Sequence, residues 1–191
     1  ELMRRYDEVF ARHGLVAAQV LLTHADLADR ERLNNARAAF AELLEAGAIP
    51  VVNENDTVST EEIRFGDNDQ LAAMVTPLVG AELLVLLTDV PGVLDDGGRR
   101  ISVMTPDARL GAFGSGSTVG TGGIQSKIDA AWKAARAGAA AVIAPAAQPG
   151  LLRSVLAGAD LGTLFPPARS ALRARQHWIA YTLRPRGALL L

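Results

Sequence analysis

Short apolar runs alternate along this chain with segments in which apolar residues recur at helical spacing. Residues 83–88 read LLVLLT, and a short continuous apolar run of this kind is typical of a strand covered on both faces. Leu71, Met74, Val75 and Leu78 recur instead at the spacing of one helix face. Because strands that alternate with helices form βαβ units, the pattern predicts an α/β protein. We expect a three-layer αβα sandwich with a mainly parallel central sheet.

The same periodicities predict the remaining elements. Strands are predicted at 16–23, 49–53, 83–88 and 140–144, and helices at 2–10, 33–44, 71–78, 124–135 and 151–156. Residues 57–65 are predicted to form a short hairpin, and the glycine-rich residues 95–120 a mobile loop with at most short elements. We expect one domain over residues 1–170, incomplete at its N-terminus, and a tail or linker over 171–191. The start at Glu1 in place of methionine suggests a piece of a longer protein.

Composition narrows the classes of function. The chain has 191 residues, of which 49% are hydrophobic, enough for one sizeable core. Its net charge is −2 and its pI is about 5.9, without the basic footprint of a nucleic-acid-binding protein. The absence of cysteine excludes disulfides, thiolate catalysis and cysteine metal sites. Residues 137–147 form the richest apolar stretch, which is far shorter than the ~18 residues of a membrane span. We therefore predict no nucleic-acid or membrane partner and a cytoplasmic location.

Two clusters of acidic and amide side chains flank predicted elements. Residues 53–56 read NEND directly after an apolar run, and residues 66–69 read GDND directly before a helical stripe. Carboxylates cost too much to bury unpaired, and at the carboxyl end of a strand they face the crevice where α/β proteins bind ligands. Turn formation and helix capping explain one or two of these residues. They explain seven polar groups in two tight clusters less well, so the clusters predict a ligand site.

A glycine-rich turn opens the helix predicted at 124–135. Residues 120–127 read GTGGIQSK. Glycines allow backbone N–H groups to face an anion, the helix N-terminus adds partial positive charge, and Lys127 supplies a full charge. The spacing differs from the GxxxxGK[ST] phosphate loop, and an ordinary turn before a helix explains the same glycines. On spacing alone both interpretations stay open.

Thr88 and Asp89 end the strand predicted at 83–88 and precede Pro91 and Gly92. Polar residues at this point of an α/β sheet lie where nucleotides bind. An ordinary strand-ending turn is the alternative, and the pair taken alone favours that alternative.

Several runs of sequence carry a resemblance to a known family. They are VVNENDTVSTEEIRFGDNDQLAA, LLVLLTDVPGV, VGTGGIQSK, PGLLRSVLAG and GTLF, together with the N-terminal LLTHADLADRERLNNAR. With these runs the chain resembles the glutamate 5-kinases of the amino acid kinase superfamily over nearly its whole length. The paired NEND and GDND clusters are specific to that branch, whereas the TGG-x-x-x-K segment is shared more widely in the superfamily.

The resemblance implies ATP-dependent phosphorylation of the γ-carboxylate of L-glutamate, the first step of proline biosynthesis. It implies that Asp56 and Asn68 hold glutamate with Asp67 nearby, that Asp69 organises the catalytic lysines, and that Lys127 is catalytic and lies close to the transferred phosphate. The nucleotide would be bound by Thr88, Asp89, Thr121, Gly122, Gly123, Ile124, Gln125, Ser126 and Lys127. Mg²⁺ would be carried by ATP rather than by a metal site of the protein. L-Proline as feedback inhibitor, glutamyl phosphate reductase as downstream partner and a homo-oligomer are further expectations.

Departures from the family pattern keep two alternatives open. The family begins with a strand and a lysine-bearing glycine-rich turn, followed by a Ser-Gly loop that binds the substrate. In the family these segments lie upstream of the part that this sequence resembles, and this sequence does not contain them. The segment VLDDGGRRISV after Gly92 is shorter than usual and lacks the family's Tyr-Thr-x-Asp-Pro stretch. We therefore expect this chain alone to be inactive. The competing interpretations are another kinase of the superfamily and a non-catalytic module that senses an amino acid such as proline.

Overall fold

Eleven elements make up the described part of the chain. The computed structural model describes residues 1–55, 67–105 and 123–168. In chain order the elements are α1 (Leu2–Ala11), β1 (Val16–Leu22), α2 (His24–Ala28), α3 (Arg30–Glu45), β2 (Ala48–Glu54), α4 (Asn68–Leu78), β3 (Leu83–Thr88), α5 (Ile124–Ala137), β4 (Ala140–Pro145), α6 (Leu151–Leu156) and β5 (Thr163–Phe165). All four predicted strands and all five predicted helices are present, so the α/β prediction is confirmed. The hairpin predicted at 57–65 and the tail predicted at 171–191 lie outside the described residues.

The strands pair in two groups. β1 and β2 are parallel, with Gln19 opposite Val51, and β3 and β4 are parallel, with Val85 opposite Val142. β5 is antiparallel to β4. Within the three described ranges these pairings form two sheets, of two and three strands, and the pairing is mainly parallel, as predicted. β5 was not predicted, because three residues are too few to show a period.

Helix caps explain where α2 and α3 begin. The Thr23 side chain accepts a hydrogen bond from the Asp26 backbone, and the Asp26 side chain accepts one from the Thr23 backbone at 2.8 Å. This capping box gives α2 its start, although the apolar pattern did not predict a helix there. Asp29 caps α3 by accepting hydrogen bonds from the backbone N–H groups of Glu31 and Arg32. The cap sets the start of α3 at Arg30, three residues before the predicted apolar stripe.

Helix α4 packs between the two sheets. Leu71 and Leu78 belong to a buried cluster with residues of β1, α2 and α3, whereas Ala73 belongs to the core formed around β3, β4 and α5. On α5, Ala130 and Ala134 are completely buried in that second core, and such small side chains allow helices and strands to approach closely. The position of α4 is therefore set by both cores. Within the described ranges no helix is both long enough and apolar enough to span a membrane.

A buried threonine of β5 holds the segment that follows β3. The Thr163 hydroxyl accepts a hydrogen bond from the Val93 backbone N–H at 2.8 Å and donates one to the Ile101 carbonyl at 2.7 Å. Leu94 and Arg100 form an antiparallel bridge between these two points. Residues 95–105 thus contain only a short element, as predicted, while 106–120 lie outside the described residues.

We expect Thr163→Val to lower the free energy of unfolding by about 1–3 kcal/mol, because it leaves a buried N–H and a partly buried carbonyl without their partner. Chemical denaturation of the complete protein measures the change. Thr163→Ser is the control, since it keeps the hydroxyl and loses only a methyl group, and its effect should be smaller. A Thr163→Val variant as stable as the wild type would show that the hydroxyl does not stabilise this contact.

Candidate active site

Three predicted polar segments meet at one edge of the sheet that contains β3 and β4. Helix α4 runs into β3 through a short connection, and α5 runs into β4 in the same way. Each helix is therefore antiparallel to the strand that follows it, so its N-terminus lies at the carboxyl edge of the strands. Thr88 ends β3 at that same edge. This edge is where ligands bind in α/β proteins.

The first turn of α4 presents the GDND cluster. Asp67 is the N-cap residue, and its Oδ1 accepts a hydrogen bond from the Gln70 backbone N–H at 2.9 Å. Asn68 is exposed at the first helical position, and Asp69 lies next to it, half-buried. Capping thus explains one oxygen of Asp67, as the alternative interpretation of this cluster anticipated. The cap leaves the second oxygen of Asp67 and the side chains of Asn68 and Asp69 for other contacts.

The first turn of α5 follows a glycine and has features that suit an anion. Its N-cap residue is Gly123, with extended backbone and no side chain to occupy the N–H groups of the turn. Apart from Gly123 and its chain neighbours, no heavy atom of the described residues lies within 4 Å of the position that a Cβ at Gly123 would take. Among the described residues this N-terminus has no side-chain cap, and the first N–H groups of a helix, together with the positive end of its dipole, suit an anion. Ser126 and Lys127 follow directly in this turn.

An ion pair joins the two first turns. Lys127 Nζ lies 2.9 Å from Asp69 Oδ1 and 3.0 Å from Asp69 Oδ2. The two side chains are 18% and 15% exposed, respectively, so the pair is largely shielded from solvent screening. An ammonium group has three N–H donors, and two of them directed at Asp69 leave a third that can meet a phosphate oxygen. The two catalytic residues that the resemblance implies are therefore in direct contact.

A second polar contact runs beside this ion pair. The Ser126 hydroxyl donates to Asp67 Oδ2, and Gln70 Nε2 donates to the Ser126 carbonyl at 3.1 Å and to the Ser126 hydroxyl at 3.2 Å. Lys133, two turns further along α5, donates to Gln70 Oε1. Gln70 and Lys133 were not predicted from the sequence. The available signal was the polar series Ser126, Asp129, Lys133 and Arg136, whose spacing places it on one face of α5.

Gln70 and Lys133 border a cleft of about 330 Å³. Its lining residues are Gln70, Asp129, Trp132, Lys133 and Arg136. Burial lowers the pKa of Lys133, and the negative charges of Asp129 and Asp67 partly oppose this effect. The Trp132 ring packs edge-on against Phe165, with ring centroids 5.1 Å apart. It therefore lines the cleft and also contacts the core.

The other predicted site residues divide into three groups. Thr88 is buried and its hydroxyl donates to Asp89 Oδ1 at 3.3 Å, while Asp89 is exposed at the same sheet edge. Ile124 packs against the core, and Gln125 is exposed and donates to Asp129 at 3.0 Å. Asp56, Thr121 and Gly122 lie outside the described residues.

Comparison with known proteins relates this arrangement to one family. The sequence profile described as the amino acid kinase family matches residues 1–145. The chain is 49% identical to a glutamate 5-kinase of Trichlorobacter lovleyi over all of this chain and 53% of that protein, and 47% identical to one of Pelobacter propionicus with the same coverage. A glutamate 5-kinase of Myxococcus xanthus is 47% identical over 98% of this chain and 52% of that protein. The chain spans about half the length of these curated relatives.

Proposed function

This chain belongs to the amino acid kinase family, and we propose that the complete protein transfers the γ-phosphoryl group of ATP to the γ-carboxylate of L-glutamate. The product is L-glutamyl 5-phosphate, and the reaction is the first step of proline biosynthesis. The observation that carries the proposal is the contact between Asp69 and Lys127. It joins the acidic cluster to the anion-binding turn at one sheet edge, as a site for an amino acid and a nucleotide requires. Three relatives that are 47–49% identical to this chain over 98–100% of its length are named glutamate 5-kinase.

The chemistry of the acceptor explains why cations dominate this site. A γ-carboxylate has a reference pKa of about 4.3 and is already ionised at neutral pH, so the transfer needs no general base. The barrier lies in bringing one anion to another and in stabilising charge on the transferred phosphoryl group. Lys127 and the N-terminus of α5 supply positive charge at the position where that charge develops. Asp69 holds the Lys127 side chain through two contacts and orients its third N–H donor.

The acidic cluster suits the other end of the substrate. The α-ammonium group of glutamate is recognised by carboxylate and amide oxygens, and we assign this role to Asp56 and Asn68. Asp67 is bonded within the protein through both carboxylate oxygens, which suits a residue that lies beside the amino acid and shapes its pocket. Thr88, Asp89 and residues 121–127 are assigned to the nucleotide. Mg²⁺ enters as part of the Mg–ATP substrate, where phosphate oxygens are its main ligands.

Several wider assignments rest on the same proposal. We assign the protein to the cytoplasm, where ATP and glutamate are available. We also propose that the protein forms a homo-oligomer, that L-proline inhibits it by feedback, and that its product passes to glutamyl phosphate reductase. The domain over residues 1–170 would form one part of the catalytic unit, with the remainder supplied by the other half of the full-length protein.

We expect the complete protein to form ADP from ATP only when L-glutamate and Mg²⁺ are both present. A coupled assay for ADP measures the rate, and trapping of the acyl phosphate with hydroxylamine identifies the carboxylate as the acceptor. L-Aspartate is the matched control, because it carries the same charged groups on a side chain shorter by one methylene group. Equal rates with aspartate, or without an amino acid, would contradict the assignment.

A further inference from the structure

Four polar side chains form a continuous hydrogen-bonded series between α4 and α5. Lys133 donates to the Gln70 side-chain carbonyl, Gln70 donates to Ser126, and Ser126 donates to Asp67. The series closes on Gln70, its second member, because the other oxygen of Asp67 accepts the backbone N–H of Gln70. The sequence separation of Gln70 and Ser126 is 56 residues, so the series connects elements that are distant along the chain.

The two ends of this series fix the direction of every hydrogen bond in it. An ammonium group only donates and an ionised carboxylate only accepts. Lys133 therefore holds the oxygen of the Gln70 amide toward itself, and the amide nitrogen must face Ser126. The Ser126 hydroxyl accepts from that nitrogen and must direct its own proton to Asp67. Removal of either end would remove the constraint on the groups between them.

Gln70 also fixes the backbone of the anion-binding turn. Its Nε2 donates to the Ser126 carbonyl at 3.1 Å, and that carbonyl belongs to the peptide unit that leads into Lys127. The Lys127 side chain is long and flexible. The position of its ammonium group therefore depends on the position of its backbone and of its partner Asp69. The half-buried side chains of Gln70 and Lys133 line the cleft.

We propose that Gln70 and Lys133 are positioning residues, which hold the first turn of α5 against the first turn of α4 and so align Lys127 with the glutamate site. This inference rests on the proposed function for its kinetic consequences. Gln70 acts through Ser126, and Lys133 acts through Gln70. Neither residue touches the reacting groups, so their removal affects the rate of transfer more than the binding of either substrate.

The Gln70→Glu variant of the complete protein tests this assignment. Glutamate has the size of glutamine and keeps an acceptor for Lys133, but it cannot donate to Ser126. We expect kcat to fall by about 10-fold or more, because small misplacements of catalytic groups have effects of this size. The KM values for ATP and glutamate should change much less. Gln19→Glu is the matched control, because it introduces the same charge at an exposed position of β1.

Variants of Lys133 separate positioning from general stability. Lys133→Met keeps the length of the side chain and loses the donor, so it should also lower kcat. Lys133→Arg keeps the donors, so its kcat should stay close to that of the wild type. In the Gln70→Ala background, Lys133→Met should have no further effect, because the two residues act in series. Additive effects, or an unchanged kcat in Gln70→Glu, would overturn the assignment.

Hydrogen exchange provides a readout that does not depend on the reaction. Gln70→Glu and Lys133→Met should increase amide exchange in the peptide over residues 123–130, while peptides of β1 and β2 should exchange as in the wild type. Faster exchange throughout the chain would show a loss of global stability instead and would overturn the inference. If the local effect is found but the wild type does not phosphorylate glutamate, the proposed function fails and the positioning role of these residues stands.

Discussion

Lys127→Ala is expected to lower kcat of the complete protein by about 100-fold or more, because removal of a single charge-stabilising donor has effects of this size. Lys127 lies in the first turn of α5, and its ammonium group is held 2.9 Å from Asp69 Oδ1. Charge on the transferred phosphoryl group is redistributed only during the reaction. A lysine that acts on this charge therefore lowers the barrier more than it strengthens binding of the ground state. We expect the KM for glutamate to change much less than kcat.

Steady-state kinetics with each substrate varied in turn measures this effect. Arg153→Ala is the matched control, since Arg153 is an exposed cation of helix α6 and takes no part in the candidate site. The thermal midpoint of each variant should also be recorded, because removal of Lys127 leaves the shielded carboxylate of Asp69 without this partner. A folded Lys127→Ala variant with wild-type kcat would show that Lys127 is only a solvated residue of the first turn.

The sequence predicted the parts of the site that depend on local pattern. Strand β3 and helices α4 and α5 follow from apolar periodicity, and their alternation already implies that both helix N-termini and Thr88 lie at one sheet edge. The convergence of residues 67–69 with residues 126 and 127 was predictable for this reason. A capping role for Asp67 was also predictable, because aspartate before an apolar stripe is a common N-cap.

Contacts between distant segments were not predictable from pattern. Gln70 and Lys133 are separated by 63 residues, and no periodicity relates a glutamine in the first turn of one helix to a lysine in the third turn of another. Their contact depends on how closely α4 approaches α5, which the buried alanines of α5 allow. Helix α2, in contrast, carried a local signal in the capping box of Thr23 and Asp26.

The second large effect is expected for Asn68→Ala. Asn68 is exposed at the first position of α4, adjacent to Asp67 and Asp69, and the proposed function assigns its amide to the amino acid. A hydrogen bond to a charged ligand group contributes about 1.5–3 kcal/mol, which corresponds to a rise of about 10- to 150-fold in the KM for glutamate. The KM for ATP should barely change, because the first turn of α5 is untouched.

Kinetics with each substrate varied in turn decides whether the two first turns divide the pocket as proposed. Asn35→Ala is the matched control, because it makes the same substitution at an exposed position of α3 and should leave both KM values unchanged. Lys127→Ala and Asn68→Ala should then show opposite signatures, the first mainly in kcat and the second mainly in the KM for glutamate. An equal rise in both KM values for Asn68→Ala would show that GDND is not a dedicated amino acid site. The contact between Asp69 and Lys127 would in that case join two halves of a nucleotide site, and the acceptor would have to bind elsewhere.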